Sequence, residues 1–268
     1  MQLDRIMMVL EYVAAADRPV SATELHKLTE IPKPTCYRAL LKLAENGFIE
    51  DIEAAGRYSI GRRLRAAVMQ GQSNFDVCEA TRPFLKEAAG EYDEAVFLSR
   101  IRNNGVEIIH VEAPANSRSG FIHPGLGFRP IHACSCSKAI LAFAGSDLLT
   151  AAMKMPMKQY TDKTLTEIDQ LKHDIAQVKV RGYAECLEEI QTGVSSVAVP
   201  IFMANVGTIF SIGCIGPVSK FSATRRAEIG ASLLGLVGRI SQAIQMHAQV
   251  AHSLSLIHIS EPTRQASI

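Results

Sequence analysis

The side chains with the most chemical potential in this sequence are its thiols: Cys36, Cys78, Cys134, Cys136, Cys186 and Cys214. Only Cys134 and Cys136 are close enough in the chain to act as a pair, with Lys138 two residues on. A neighbouring cation favours thiolate, the nucleophilic form of cysteine, so this pattern suits thiol redox chemistry. The CxC spacing stands without a second redox motif, and the remaining spacings match neither a disulfide framework nor paired CxxC zinc knuckles. Reduced thiols are the expectation, with no metal and no cofactor. Cys136, Cys186 and Cys214 read first as small hydrophobes of a core. Serine chemistry has less support, since Ser195-Ser196 sits in a strand-like run with no GxSxG elbow. Nucleotide chemistry lacks a Walker motif. His132, in Pro130-Ile131-His132-Ala133, reads as structural, and Glu189 is the stronger candidate for a functional acid.

A second pattern is electrostatic. Between residues 31 and 65 there are seven basic side chains (Lys33, Arg38, Lys42, Arg57, Arg62, Arg63 and Arg65) against four acids (Glu45, Glu50, Asp51 and Glu53). The whole chain carries a net charge of only +1, which excludes a general polyanion binder and confines any nucleic-acid role to this stretch.

The elements around the basic residues are legible. Ile6, Val9, Leu10 and Val13 give one apolar face of a first helix. Ser21-Ala22-Thr23-Glu24 reads as a capping box, with Leu25 and Leu28 on the inward face of a second helix. Pro34 opens a third helix, which buries Cys36, Leu40, Leu43 and Ala44 and ends at Asn46-Gly47. Its opposite face carries Thr35, Arg38 and Lys42, with Tyr37 adjoining. Two short strand-like segments, 48–52 and 57–60, complete a winged helix-turn-helix whose third helix would enter the major groove. Arg57 near the hairpin tip, and Arg62, Arg63 and Arg65 beyond it, are placed to meet phosphates.

Residues 65–80 are helix-compatible and read as a linker. Beyond them, Val96–Leu98 and Val106–Val111 flank Asn103-Asn104-Gly105, a hairpin signal, and Phe121-Ile122 offers a third strand. Helices are expected at 137–142 and 167–181, with a final one carrying Ile229, Leu233, Leu236, Val237 and Ile240, and further strands at 194–202 and 206–215. Hairpins mixed with helices give an α+β domain around an antiparallel sheet.

Several motifs occur in order: Leu3-Asp4-Arg5, Thr35-Cys36-Tyr37-Arg38-Ala39-Leu40-Leu41, Gly56-Arg57-Tyr58-Ser59-Ile60-Gly61, Gly127-Phe128-Arg129-Pro130-Ile131-His132-Ala133 and Lys138-Ala139-Ile140-Leu141-Ala142. They continue with Gly182-Tyr183-Ala184, Glu188-Glu189, Gly193-Val194-Ser195-Ser196-Val197-Ala198-Val199-Pro200-Ile201 and Gly216-Pro217. In this the chain resembles the IclR family of bacterial regulators. The resemblance implies a fold class of α+β, with an N-terminal winged helix-turn-helix (1–64), a linker helix (65–80) and a GAF-like antiparallel-sheet domain (81–252). It implies a DNA-binding transcription regulator, modulated by a small organic effector such as an organic or aromatic acid, and acting on promoter DNA as a homodimer or tetramer. DNA contacts are expected from Thr35, Tyr37, Arg38, Lys42 and Arg57. The effector pocket is expected along Phe121, Ser135, Cys136, Cys186, Glu189, Ser196, Gly213 and Ile215.

The sequence departs from the family pattern where Cys186 replaces an acid, and Gly213 and Ile215 replace serines. Fewer hydroxyls on the last strand would weaken carboxylate binding and point to a larger or less polar effector than usual. The alternative to a regulator is a GAF-like thiol enzyme using Cys134 and Cys136, such as a sulfoxide reductase. It gains nothing from a winged helix, so no enzyme activity is expected.

No run of about 18 apolar residues spans a membrane, and Asp4, Arg5 and Glu11 interrupt any signal-peptide pattern at the N-terminus. A cytoplasmic location with no membrane contact is expected. The last stretch, 253–268, resembles translated sequencing-adapter sequence and reads as a non-native tail.

Overall fold

A computed structural model of the chain describes residues 2–102, 105–115 and 121–259. It divides into two compact units, 1–71 and 72–268.

The first unit contains helices α1 (Gln2–Ala15), α2 (Ala22–Thr29) and α3 (Lys33–Glu45), and strands β1 (Val20–Ser21), β2 (Ile49–Asp51) and β3 (Arg57–Ile60). The strands form an antiparallel sheet in the order β1-β3-β2. Val9, Val13, Leu25, Cys36, Leu40, Leu43, Ile49 and Tyr58 fill one core, with Ile6 and Leu10 packed at its edge. The Ser21 hydroxyl accepts from the Glu24 amide, and the Glu24 carboxylate accepts from the Ser21 amide at 2.8 Å. Leu28, expected inward, is 58% exposed. Apolar residues three apart drift around a helix, and by Leu28 the stripe begun at Ala22 and Leu25 has turned off the core. Gly47 takes a left-handed conformation at φ 71° after the end of α3.

The stretch expected as one linker helix is two. α4 (Arg62–Gly71) ends at a glycine, and α5 (Asn74–Tyr92) starts behind Ser73, whose hydroxyl caps the Asp76 amide at 3.1 Å. The competing N-cap breaks a run whose side chains alone read as continuous helix. Arg100 anchors the start of α5, donating to the Gln72 carbonyl and to Asn74 Oδ1 at 2.9 Å each.

The second unit is built on six strands: β4 (Ala95–Arg102), β5 (Gly105–Glu112), β6 (Gly127–Arg129), β7 (Ala184–Leu187), β8 (Val194–Met203) and β9 (Gly207–Pro217). The order is β6-β5-β4-β9-β8-β7, antiparallel throughout. The third hairpin strand is β6; Phe121 and Ile122 lie in an irregular run before it. Proline and glycines at 124, 125 and 127 keep that run out of the ladder. Asn103 and Asn104, the expected turn, lie outside the described residues. Helices α5 and α9 (Ala223–Ile259) pack together on one side of the sheet. On the other side α6 (Ser135–Phe143) lies against β7, β8 and β9 with α8 (Ile168–Arg181) packed on it, and α7 (Ser146–Met153) follows α6 in the chain. The first residues of the expected tail continue α9, and residues 260–268 lie outside the described residues.

Glu24 makes the winged unit sensitive to acid. The Arg18 guanidinium, then the Ser21 amide and hydroxyl, hold its carboxyl down at about 2 from the ordinary 4.5. Its stabilising effect is therefore complete above pH 4.5 and lost as the pH falls towards 2. In the full-length protein, hydrogen-exchange protection of residues 20–60 is expected to fall across that window more steeply than in Glu24→Gln. Ser21→Ala is expected to cost the same segment about 1 kcal/mol.

Candidate functional site

The charge pattern of α3 follows from what its opposite face must bury. Cys36, Ala39, Leu40 and Leu43 occupy the core side, which leaves Tyr37, Arg38 and Lys42 exposed and Thr35 half-buried. Arg5 of α1 joins Thr35, Arg38 and Lys42 around a hollow of about 790 Å³. Tyr37, 52% exposed, projects beside this hollow and not into it.

The other arginines are engaged within the unit. Arg57 Nη2 reaches the Pro19 carbonyl at 3.2 Å and Glu24 Oε1 at 3.3 Å, bracing the wing against α2. Arg63 lies over the Phe48 ring at 4.7 Å and donates to the Asn46 carbonyl. Arg65 pairs with Glu50 at 2.8 Å. Thus Arg38 and Lys42 present their cations from α3, while Arg57, Arg63 and Arg65 hold the scaffold that presents them.

On the α6 side of the second sheet a cavity of about 110 Å³ opens. Register explains its floor: Cys186 pairs with Ser196, and Ser196 with Ile215, so the three form one row across β7, β8 and β9. All three line the cavity, as expected. Phe97, Arg129 and Cys134 form walls that the sequence reading did not assign.

The other expected pocket residues serve differently. Ser135 sits one layer behind, its hydroxyl 2.7 Å from that of Ser196. Cys136 is fully buried behind Cys134, sulfur to sulfur 3.2 Å. Gly213 lines nothing, but a Cβ there would fall 2.4 Å from the Phe97 ring, so glycine lets that wall lie flat on the sheet. Phe121 is 41% exposed and does not line the cavity, because the strand expected to carry it does not form.

Glu189 also lies outside the cavity. Its Oε1 accepts from Lys138 Nζ at 2.7 Å, and Asp174 of α8 takes the same ammonium at 2.7 Å. Lys138 is 1% exposed. Burial pulls its ammonium down, and the two carboxylates outweigh that to leave it above its ordinary value. Burial pushes the Glu189 carboxyl up against the pull of Lys138. His132 is structural, as expected: its Nε2 meets the Lys158 carbonyl at 3.0 Å and its ring stacks on Tyr160.

Arg129 is the chemical surprise of the cavity. Its Nη2 donates to the Pro124 and Gly125 carbonyls, while its buried Nε has no partner. A buried guanidinium N–H without an acceptor is costly. The only sequence cue was its place in the Gly127–Ala133 motif.

Family models cover nearly the whole chain: the IclR helix-turn-helix domain at residues 2–52 and the bacterial transcriptional regulator IclR C-terminal domain at 69–242. The chain belongs to the IclR family. It is a DNA-binding transcription regulator with a C-terminal effector-binding domain. Among its relatives, the glycerol operon regulatory protein of Streptomyces coelicolor is 28% identical over 249 residues, covering 90% of this chain and 94% of that protein. The transcriptional repressor IclR of Escherichia coli is 26% identical, covering 90% and 89%. The IclR structure from Thermotoga maritima shares the fold with a TM-score of 0.59 at 23% identity, covering 90% and 98%. So does an IclR homologue from Microbacterium hydrocarbonoxydans complexed with 4-hydroxybenzoate, with a TM-score of 0.57 at 21% identity, covering 92% and 100%. Among the described residues, no helix is long and apolar enough to cross a membrane.

In this IclR-family domain, Lys138 is a structural hub. Lys138→Met strands the buried Glu189 carboxylate, leaves Asp174 only its pair with Arg181, and is expected to cost about 3–5 kcal/mol in urea unfolding followed by circular dichroism. Adding Glu189→Leu should recover part of that loss, whereas strictly additive losses would show that the pair is not coupled.

Proposed function

We propose that this regulator's affinity for promoter DNA is set by a small carboxylic acid held in the 110 Å³ cavity, and that it has no catalytic role. The observation that carries the acid is Arg129, a half-buried cation on the wall of an otherwise largely apolar cavity. The Ser196 hydroxyl adds a polar contact on the floor, while Phe97, Ile108 and Ile215 favour an apolar body. The volume lies below the roughly 300–1,000 Å³ of drug-sized pockets, so the effector is small. The 4-hydroxybenzoate bound by the Microbacterium homologue is an acid of this class.

On the DNA side, Thr35, Arg38 and Lys42 read the major groove and its phosphates, with Tyr37 beside them and Arg57 bracing the wing. Leu3, Met7, Met8 and Tyr12 expose an apolar stripe on α1 that supports self-association. A homodimer, or a tetramer of two, would set paired α3 helices about 34 Å apart on half-sites. The acid acts by favouring one dimer geometry over another. The non-enzymatic reading rests on relatives named as regulators and on the burial of Ser195, Cys134 and Cys136, which leaves a bulky substrate no approach. Action on promoter DNA favours a cytoplasmic location.

A thermal-shift screen of small carboxylic acids, with 4-hydroxybenzoate included, is expected to find ligands that raise the melting temperature. Arg129→Met should abolish the shift; a shift that survives it would place the acid elsewhere. On DNA from the protein's own promoter region, Lys42→Ala should lower the salt slope of binding by about one unit. Arg38→Ala should cost about 1–3 kcal/mol against the preferred sequence. Equal affinity for promoter and random DNA at every salt concentration would contradict the reading.

A further inference from the structure

The Cys134–Cys136 pair is the one reactive feature of the cavity that effector binding does not use. Cys134 is the N-cap residue of α6 and lines the cavity; Cys136 lies two residues into the helix, 3.2 Å behind it. The positive charge near the pair is not the one its sequence neighbourhood suggests. Lys138 points away, bound to Glu189 and Asp174, and the guanidinium that shares the cavity wall with Cys134 is that of Arg129.

We propose that Cys134 and Cys136 form a modification site for small hydroperoxides, which enter the effector cavity and join the two sulfurs as a reversible disulfide. The inference needs the cavity to admit small solutes, as the effector reading does, but not that it holds an acid.

Access sets the order of attack, because Cys134 lines the cavity and Cys136 does not. Cys134 sulfur attacks the terminal peroxide oxygen and the O–O bond breaks. The departing alkoxide leaves as an alcohol, taking the thiol proton, and Cys134 becomes a sulfenic acid. Cys136 sulfur then displaces that hydroxyl, which leaves as water with the Cys136 proton. Two thiols and one hydroperoxide thus give one disulfide, one alcohol and one water.

The surroundings of the pair divide the proton between the sulfurs. Burial pushes the Cys136 thiol up, but its polar neighbours, the Cys134 side chain first, outweigh that and leave it below its ordinary value. Cys134, which donates to Cys136 and is also buried, is held well above. Cys186, the other thiol of the cavity, is pushed up to about 12 by burial and stays protonated.

The test treats reduced full-length protein with hydrogen peroxide, alkylates the remaining thiols and maps them by peptide mass. The expected result is loss of two alkylatable thiols out of six. The peptide carrying Cys134 and Cys136 should be lighter by two hydrogens, and dithiothreitol should restore both. In Cys136→Ser the reaction should stop at Cys134 sulfenic acid, trapped by dimedone. Six alkylatable thiols after peroxide would overturn the proposal, as would a disulfide between Cys134 and Cys186. The thiol count is independent of any acid, so a failed effector screen with a positive thiol result separates the two claims.

Discussion

The effector domain depends on one buried charge. The Lys138 ammonium sits almost out of water between Glu189 on the β7–β8 connection and Asp174 on α8. Desolvating an ion costs several kcal/mol, and only two carboxylates at hydrogen-bonding distance make its position tolerable. The same contacts fix α6 along its axis. Once Lys138 is placed, Cys134 must fall at the cavity wall, Ser135 opposite Ser196, and the Cys136 carbonyl within 3.3 Å of the Ser211 hydroxyl. A helix one residue out of register would place none of these groups correctly.

The winged unit is organised by a smaller version of the same device. Glu24 caps α2 and gathers Arg18 and Arg57, so one carboxylate joins the turn before α2 to the wing. Arg57, expected to meet phosphates, is thereby used as scaffold. The exposed cations of α3 are few, which agrees with a chain whose net charge is only +1 and whose specificity must come from geometry.

The sequence made the elements legible where a local rule governs them. The capping box at Ser21 and Glu24, the buried stripe of α3 and the cavity row of Cys186, Ser196 and Ile215 follow from spacing, cap chemistry or family motif. What escaped depends on contacts distant in sequence. Glu189 was expected in the pocket, but its partner Lys138 lies 51 residues away. Phe97 became a wall because Gly213, on a strand distant in sequence, lacks a side chain. Arg129 was hidden inside a motif, and its orphaned Nε is visible only once its neighbours have been placed. The split between α4 and α5 turned on one serine cap that outweighed a run of helix formers.

The central claim is that a carboxylate at Arg129 and DNA at α3 are energetically linked. The most direct measurement is the affinity for promoter DNA at fixed salt, with and without saturating amounts of the acid giving the largest thermal shift. The account predicts a change of at least about 5-fold in the wild type and none in Arg129→Met. An acid that saturates the wild-type cavity while leaving its DNA affinity unchanged would contradict it.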